Sequence, residues 1–168
     1  MSGEKILIDF NSQDKGLLWE VIDDVVMGGI STSRLSITPD KTALFQGSVS
    51  LEHSSGFASI RTYPQDFKLE GFRGLMIRIR GDGRKYRLRL RTDNAYEGIA
   101  YQAHFPTDPD RWAIVRLAFS EFTPVFRGEV IAGAPALEIN QVRRIGFMIA
   151  DKQEGHFSLE IDWVKAYT

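Results

Sequence analysis

The sequence predicts an all-β fold, a sandwich of two antiparallel sheets or jelly roll. Apolar and polar residues alternate with a period of two along about ten segments, and turn-forming residues separate these segments. Sustained helical periodicity is nearly absent. Short strands at this spacing are typical of β-sandwiches, and 168 residues fit a single domain spanning residues 1–168.

The strands follow in order, each bounded by residues that favour turns, such as the Pro-Asp of Thr38–Lys41 and the Gly-Asp-Gly of Gly81–Arg84. One-turn helical pieces are expected near Phe119–Phe122 and Asn140–Arg143, and a long loop from Thr123 to Leu137. The candidate strands are Ile6–Phe10, Ser33–Ile37, Ala43–Leu51, Phe57–Tyr63, Gly74–Arg80, Lys85–Arg91, Ile99–Phe105, Ala113–Leu117, Ile145–Ala150 and Phe157–Tyr167.

Two of these strands are predicted to form a hairpin. Asp82-Gly83 is a dipeptide that favours a two-residue turn, which would place Arg80 opposite Lys85 and Ile79 opposite Tyr86. Directly opposed residues share a face of a sheet. One face would therefore carry Leu75, Ile77, Ile79, Tyr86, Leu88 and Leu90, and the other Arg78, Arg80, Lys85, Arg87, Arg89 and Arg91.

The basic face of this hairpin needs carboxylates, a bound anion or open solvent, because opposed like charges destabilise a sheet. In the last strand, Phe157, Leu159, Ile161 and Trp163 alternate with Ser158, Glu160 and Asp162, so these acids could pair with the arginines. A salt-bridge network, a face that binds a polar ligand or protein partner, and a nucleic-acid face all stay open; the last is least favoured because the aromatic residues fall on core positions. The candidate binding residues are Arg61, Arg78, Arg80, Arg87, Arg89 and Arg91.

Composition excludes several classes of protein. The chain has no cysteine, which removes disulfide scaffolds and thiolate zinc sites, and its net charge of −1 gives no global attraction to nucleic acid. No apolar run approaches the roughly 20 residues that cross a bilayer. The N-terminal MSGEKILIDF is not a signal or transit peptide, so we expect a cytoplasmic location.

Motifs for chemistry are weak. The three histidines have no metal-ligand spacing, and "GDGRKY" lacks the third glycine of a dinucleotide fingerprint. We therefore expect no cofactor, no metal and no catalytic residue, although a calcium ion held by oxygens such as those of Asp9, Asn11 or Asp162 stays open. The tryptophans are expected to be mainly core anchors.

The stretch "DDVVMGGIST" follows neither a strand nor a helix pattern. Its glycines supply backbone conformations closed to other residues, and its acids and hydroxyls can bond loop amides. A structural loop and a contact loop both stay open. The candidate contact residues are Asp23, Asp24, Met27, Gly28, Gly29 and Ser31.

Five ordered motifs resemble the family of complex I intermediate-associated protein 30: "WEVIDDVVMGGISTS", "FQGSVSLE", "GFASIRT", "RGDGRKY" and "IGFMIADKQEGHFSLEIDW". The resemblance covers nearly the whole chain. It implies a galactose-binding-domain-like β-sandwich, similar to carbohydrate-binding modules, and a non-catalytic role in assembling respiratory complex I. The chain is identified as a single-domain relative, bacterial or otherwise cytosolic.

Three functions follow as hypotheses. The leading one is a binding and assembly module that presents its loops and its arginines to a protein partner, such as complex I subunits or assembly factors. The alternative is a module that binds a small ligand or a carbohydrate. The third is an enzyme that uses Asp23, Asp24 and the arginines as acid, base and anion-stabilising groups.

Overall fold

The computed structural model describes residues 3–10, 19–24, 28–52, 56–92, 98–126 and 129–168. Within these ranges the regular structure consists mainly of strands, and the helices described in full are two single 3-10 turns, Phe119–Glu121 and Ile139–Gln141. The strands are β1 Glu4–Asp9, β2 Trp19–Val21, β3 Thr32–Ile37, β4 Ala43–Val49, β5 Ala58–Thr62, β6 Gly74–Arg80, β7 Lys85–Thr92, β8 Ala100–Pro106, β9 Trp112–Ala118, β10 Thr123–Phe126, β11 Glu129–Val130, β12 Val142–Ile149 and β13 Gly155–Tyr167.

The strands form two antiparallel sheets, which confirms the predicted fold class. Sheet A has the order β3-β4-β13-β6-β9, and β1 also pairs with β13. Sheet B has the order β11-β10-β8-β7-β12-β5-β2. None of the helices in the described ranges is long and apolar enough to cross a membrane.

The core lies between the two sheets and is rich in aromatic rings. The ring centroids of Phe45 and Phe157, both in sheet A, are 4.9 Å apart, and those of Tyr86 and Phe105, both in sheet B, are 6.1 Å apart. Tyr86 also meets Phe157 edge-on across the sandwich at 6.4 Å. Packing of this kind adds to the burial of the apolar strand faces, which is the main stabilising term.

The predicted hairpin of Gly74–Arg91 is wrong. Strand β6 pairs with β9 and β13 in sheet A, whereas β7 pairs with β8 and β12 in sheet B. The six apolar residues of the predicted core face are all buried, but they face one another across the sandwich. Alternation puts the same residues in the core whether two strands pair or belong to opposite sheets, so it could not distinguish these arrangements.

The segment Gly81–Arg84 therefore carries the chain from one sheet to the other. The Asp82 carboxylate accepts hydrogen bonds from the backbone amides of Arg84 (3.1 Å) and Ser158 (2.9 Å) and from the Tyr86 hydroxyl (3.0 Å). The Thr107 hydroxyl accepts from the amide of Gly83 (3.0 Å) and donates to the carbonyl of Arg84 (2.7 Å). Asp82 thus ties the crossover to β7 and to β13.

A bulge in β13 changes which residues face the core. The register with β6 shifts between Ile161 and Trp163. Phe157, Leu159 and Ile161 are buried before the bulge, and Val164 and Ala166 after it. Trp163 lies on the outer face beside Lys165, whose Nζ is 4.2 Å from the ring centroid. The prediction that Trp163 shares the core face is wrong, because an inserted residue reverses the alternation.

The predicted loop Thr123–Leu137 is partly wrong as well. Its first residues form β10, which pairs with β8, and the two-residue β11 pairs with β10 at the edge of sheet B. The short β2 was not predicted. Strands of two to four residues hold too few alternating positions to be recognised, and Pro124 argued against a strand.

We expect Asp82→Ala to lower the free energy of unfolding by about 2 kcal/mol, because it leaves three donors without their acceptor. Asp108→Ala, at an exposed turn position, is the control and should change it by less than about 0.5 kcal/mol. Urea denaturation of both variants measures the difference. Equal losses would contradict the role given to Asp82.

Candidate functional site

The loop that begins at Asp23 is held by a fully buried carboxylate. The Asp24 Oδ1 accepts from the amide of Ser31 (2.9 Å), and its Oδ2 accepts from the Ser31 hydroxyl (2.6 Å) and the amide of Phe57 (3.1 Å). The Ser31 hydroxyl in turn accepts from the amide of Ser50 (2.9 Å). Asp24 and Ser31 are buried, so a partner could reach them only if the loop opened.

Asp23 links the two sheets at the same place. Its Oδ1 accepts from the hydroxyl of Ser33 in β3 (2.6 Å) and from the amide of Ser59 in β5 (3.3 Å). Burial raises the pKa of Asp23 above its ordinary value, and the bonds from Ser33 and Ser59 offset part of this rise. Its contacts are with backbone and serine groups, an arrangement that closes the edge of the sandwich.

The other candidate residues of this loop have different surroundings. Gly28 adopts a φ of +86° and is exposed, which is the conformation that favours glycine, whereas Gly29 is buried and donates its amide to the Asp24 carbonyl (2.8 Å). Met27 lies outside the described residues. Ile30 keeps half of its surface exposed, so the rim of the loop remains a candidate contact.

We expect Asp24→Asn to lower the free energy of unfolding by about 2 kcal/mol. Both Asp24 oxygens accept hydrogen bonds, so in either orientation the NH2 of Asn faces a donor that has lost its acceptor. Asp23→Asn is the matched control. The bonds that Asp23 accepts from the Ser33 hydroxyl and the Ser59 amide both use Oδ1, which an Asn carbonyl can replace, and the change removes a charge that burial disfavours. Thermal and urea denaturation measure the loss of stability in each variant. An equal loss in Asp23→Asn would contradict the structural role assigned to Asp24.

The predicted basic residues separate onto the outer faces of the two sheets. Arg78 and Arg80 lie on sheet A, and Arg61, Arg87, Arg89 and Arg91 lie on sheet B. Since β6 and β7 belong to different sheets, the single arginine face expected from the hairpin does not exist. The two faces have to be considered one at a time.

The arginines of sheet A have carboxylate partners. Arg78 pairs with Asp162 at 2.7 Å, and Arg80 pairs with Glu160 through Nη2 at 2.7 Å and Nε at 3.2 Å. Glu160 is 92% buried and also accepts from the Thr42 hydroxyl at 2.5 Å. Both guanidinium groups lie over the Trp112 ring. This face fits the predicted salt-bridge network, because both cations are already neutralised.

Sheet B carries a denser group of cations, which we call the sheet B arginine cluster: Arg61, Arg87, Arg89, Arg91 and Arg144. Arg61 pairs with Glu20 at 2.7 Å, and Arg144 bonds the same Glu20 oxygen. Arg87 pairs with Asp151 at 2.5 Å and donates to Gln102 at 3.3 Å. Arg91 donates to the carbonyl of Gly98 at 3.4 Å. Arg89 lies among these arginines and is the member of the cluster to which none of these contacts belongs.

Arg89 is the cation of this cluster that the described residues do not satisfy. Its Nε is buried and has no hydrogen-bond partner among the residues that the structure describes. Burial, together with the neighbouring charges of Arg91, Arg87 and Arg61, lowers the pKa of Arg89 to about 9. A half-buried guanidinium in a positive field favours the binding of an anion.

Two other titratable groups of sheet B respond to this field. Burial alone would raise the pKa of Glu20, but hydrogen bonds and charge from Arg61 and Arg144 hold it below its ordinary value. Burial and the charge of Arg87 lower the pKa of His104, while Asp151 acts in the opposite direction. His104 is therefore mainly neutral at neutral pH, and the excess of positive charge comes from the arginines.

Sequence reasoning missed Arg144, Glu20 and Gln102 as members of this face. Arg144 precedes the buried Ile145 and continues the alternation of β12 outward, which was the available signal. Glu20 lies in the three-residue β2, which gave no periodic signal. The described residues contain no group of three or more His, Asp or Glu side chains able to hold a metal ion. Of the calcium candidates, Asp162 is engaged by Arg78, and Asn11 lies outside the described residues.

The fold and its faces place the chain in a class of antiparallel β-sandwich modules. A family 11 carbohydrate-binding module from Clostridium thermocellum, solved with a beta-1,3-1,4-mixed-linked tetrasaccharide, superposes with a TM-score of 0.70 at 17% identity, covering 98% of this chain and 95% of that one. A crystal structure of an agarase, AgWH50C, matches with a TM-score of 0.63 at 12% identity over 98% of this chain and 24% of that one. These likenesses define the fold.

The chain belongs to the complex I intermediate-associated protein 30 family, whose sequence model matches residues 8–161. It is 30% identical over 181 residues to the mitochondrial complex I intermediate-associated protein 30 of Drosophila melanogaster, covering 95% of this chain and 61% of the relative. The mouse protein of that name is 27% identical over 188 residues, covering 100% and 57%. The chain thus spans about three fifths of the length of these relatives.

The cytoplasmic location expected from the sequence is contradicted by these relatives. The fly, mouse and Caenorhabditis elegans proteins are all named as mitochondrial. The expectation rested on the absence of a targeting segment. Such an absence carries no information in a sequence that matches only part of its relatives' length, and the relatives point to mitochondria.

Proposed function

We propose that the chain is a non-catalytic binding module that helps to assemble respiratory complex I by contacting a protein partner. The observation that carries this proposal is the family match over residues 8–161, together with relatives named for intermediates of complex I. In the described structure, the hydrogen bonds of Asp23 and Asp24 come from serine hydroxyls and backbone amides and not from an arginine. This supports a binding role over acid-base chemistry.

The outer face of sheet B is the surface proposed to meet the partner. On sheet A, Arg78 and Arg80 already hold Asp162 and Glu160. On sheet B, the arginines exceed their described carboxylate partners, and a positive face favours encounter with an acidic surface. The rim of the Asp23–Thr32 loop, where Ile30 is exposed, is proposed as a second contact.

Deletion of the gene in the source organism should lower the amount of assembled complex I, and a plasmid copy should restore it. Blue native electrophoresis and NADH:ubiquinone activity measure the effect. A tagged chain should also retain complex I subunits, identified by mass spectrometry. Normal complex I after deletion, with no subunits captured, would refute the assembly role.

Matched variants then test the proposed surface. Arg87→Glu with Arg89→Glu places negative charge on sheet B, and Arg116→Glu does so on sheet A, where Arg116 stacks over Tyr167 at 4.2 Å. Capture of complex I subunits should fall only for the sheet B variant, provided that both proteins melt as the unchanged chain does. Equal capture would exclude sheet B as the contact.

A carbohydrate-binding role has one specific observation in its favour. Trp112, Trp163 and Tyr167 lie on the outer face of sheet A, contrary to the expectation that the tryptophans are mainly core anchors. Sugars stack on such rings, but each ring already has a cation 4.2 to 4.3 Å from its centroid: Arg78, Lys165 and Arg116 respectively. A sugar would have to displace these cations.

We therefore expect the beta-1,3-1,4-mixed-linked tetrasaccharide to leave the melting temperature unchanged. A ligand present at 100 times its Kd would add about 2.7 kcal/mol of stability, which thermal-shift measurement detects readily. A rise that disappears in Trp163→Ala, with Trp19→Ala as a control on a ring packed against Phe147, would favour the carbohydrate role instead.

A further inference from the structure

A row of residues across sheet B surrounds the one buried arginine nitrogen that has no acceptor in the described structure. Arg61 in β5 is paired in register with Gly146 in β12, which is paired with Arg89 in β7, which is paired with Gln102 in β8. Gly146 has no side chain, so β12 contributes none to this row between the two arginines. Neighbouring strands lie about 4.8 Å apart, which sets Arg61 and Arg89 about 10 Å from each other.

Glycine is required at that position by the packing of the backbone. A Cβ on residue 146 would lie 2.7 Å from the carbonyl oxygen of Ile60. The same Cβ would lie 3.2 Å from the Cβ of Arg61, so the stem of Arg61 packs beside this position. Arg89 keeps part of its surface exposed, so its guanidinium can be approached from outside the sheet.

The guanidinium groups of the arginines beside Arg89 are bonded to other acceptors. Arg61 and Arg144 share Glu20, and Arg87 is engaged by Asp151 and Gln102. No carboxylate in the described part of the chain pairs with Arg89. A buried cation without a counter-ion is unfavourable, and the surrounding arginines add to this cost.

We propose that Arg89 is the receptor for a single carboxylate group, an Asp or Glu side chain of the protein partner. This assignment rests on the proposed function for the identity of the partner. A carboxylate fits because two N–H groups of a guanidinium form a planar fork for it. On the opposite sheet, Arg80 also binds a carboxylate with two N–H groups, although its Nε and Nη2 share one oxygen of Glu160.

Phosphate is less suited to this position than a carboxylate. A phosphate group presents more oxygens to satisfy, and the flanking guanidinium groups of Arg61 and Arg87 are already bonded to carboxylates. One guanidinium without an acceptor among the described residues, between two that are already paired with carboxylates, is suited to binding one carboxylate. A phosphate-bearing surface is therefore an outcome for the experiment to exclude.

The Arg89 Nε–H signal in nitrogen-15 NMR spectra measures occupancy of the site. Acetate added at constant ionic strength should shift this signal saturably, whereas the Arg80 Nε–H, which already bonds Glu160, should not move. Arg89→Lys keeps the charge but loses the fork, so acetate binding, measured by shifts of the surrounding backbone amides, should weaken by about tenfold or more. Arg116→Lys, on sheet A, is the control and should bind acetate as the unchanged chain does.

Three results would overturn the proposal. The first is an Arg89 signal that does not respond to acetate at matched ionic strength. The second is a saturable shift with inorganic phosphate but not with acetate. The third is a change of the signal in Asp93→Asn or Glu97→Gln without added anion, which would reveal a partner within the chain itself.

The same variants separate this site from the assembly role. If acetate binds at Arg89 and Arg89→Lys lowers capture of complex I subunits while Arg116→Lys does not, both the site and its partner are supported. If acetate binds but no complex I subunit is captured by the unchanged chain, the carboxylate site stands and the proposed function fails. If subunits are captured equally by both variants, the assembly role stands and the assignment of Arg89 to the partner is refuted.

Discussion

The pairing of charges that are withdrawn from water is the interaction on which much of this structure depends. Glu160, 92% buried, is held by Arg80 and Thr42, and the fully buried Asp24 is held by backbone amides and Ser31. A buried charge that loses its partner is strongly unfavourable, so these contacts fix where strands and loops can lie. The first closes the outer face of sheet A, and the second fixes the loop that joins the sheets. Arg89 stands apart because the described residues give it no such partner.

The alternation of apolar and polar residues was sufficient to predict most strands and the core residues. It was not sufficient to predict which strands pair within each sheet. The apolar residues of β6 and β7 are buried as predicted, yet their pairing was wrong because the two inner faces of a sandwich obey the same period-two rule. Pairing depends on contacts between distant parts of the chain, such as Asp82 with the amide of Ser158, 76 positions away. The bulge beyond Ile161 has a similar origin, since no local residue signals an insertion that β6 imposes.

For the candidate site as well, the sequence indicated which residues to consider but not how they are arranged. The sequence offered pairing of Glu160 and Asp162 with arginines as one alternative, and the structure contains such pairs with Arg80 and Arg78. What sequence could not supply was the separation of Arg78 and Arg80 from Arg87, Arg89 and Arg91, or the position of Glu20 between Arg61 and Arg144. These depend on which sheet each strand joins. The distinction between a neutralised face and an unsatisfied one therefore emerged only from the three-dimensional arrangement.

The fold and the family point to different kinds of ligand, and the surface chemistry favours one of them. A β-sandwich similar to carbohydrate-binding modules offers two broad faces, and sugars are commonly bound by rings left open beside polar groups. Here the outward rings of sheet A lie beneath arginine or lysine. Sheet B presents cations, and one of them, Arg89, has a buried Nε without an acceptor among the described residues. A surface of this kind discriminates by charge and by the geometry of a guanidinium fork, so the same sandwich architecture is better suited here to an acidic protein segment than to a sugar.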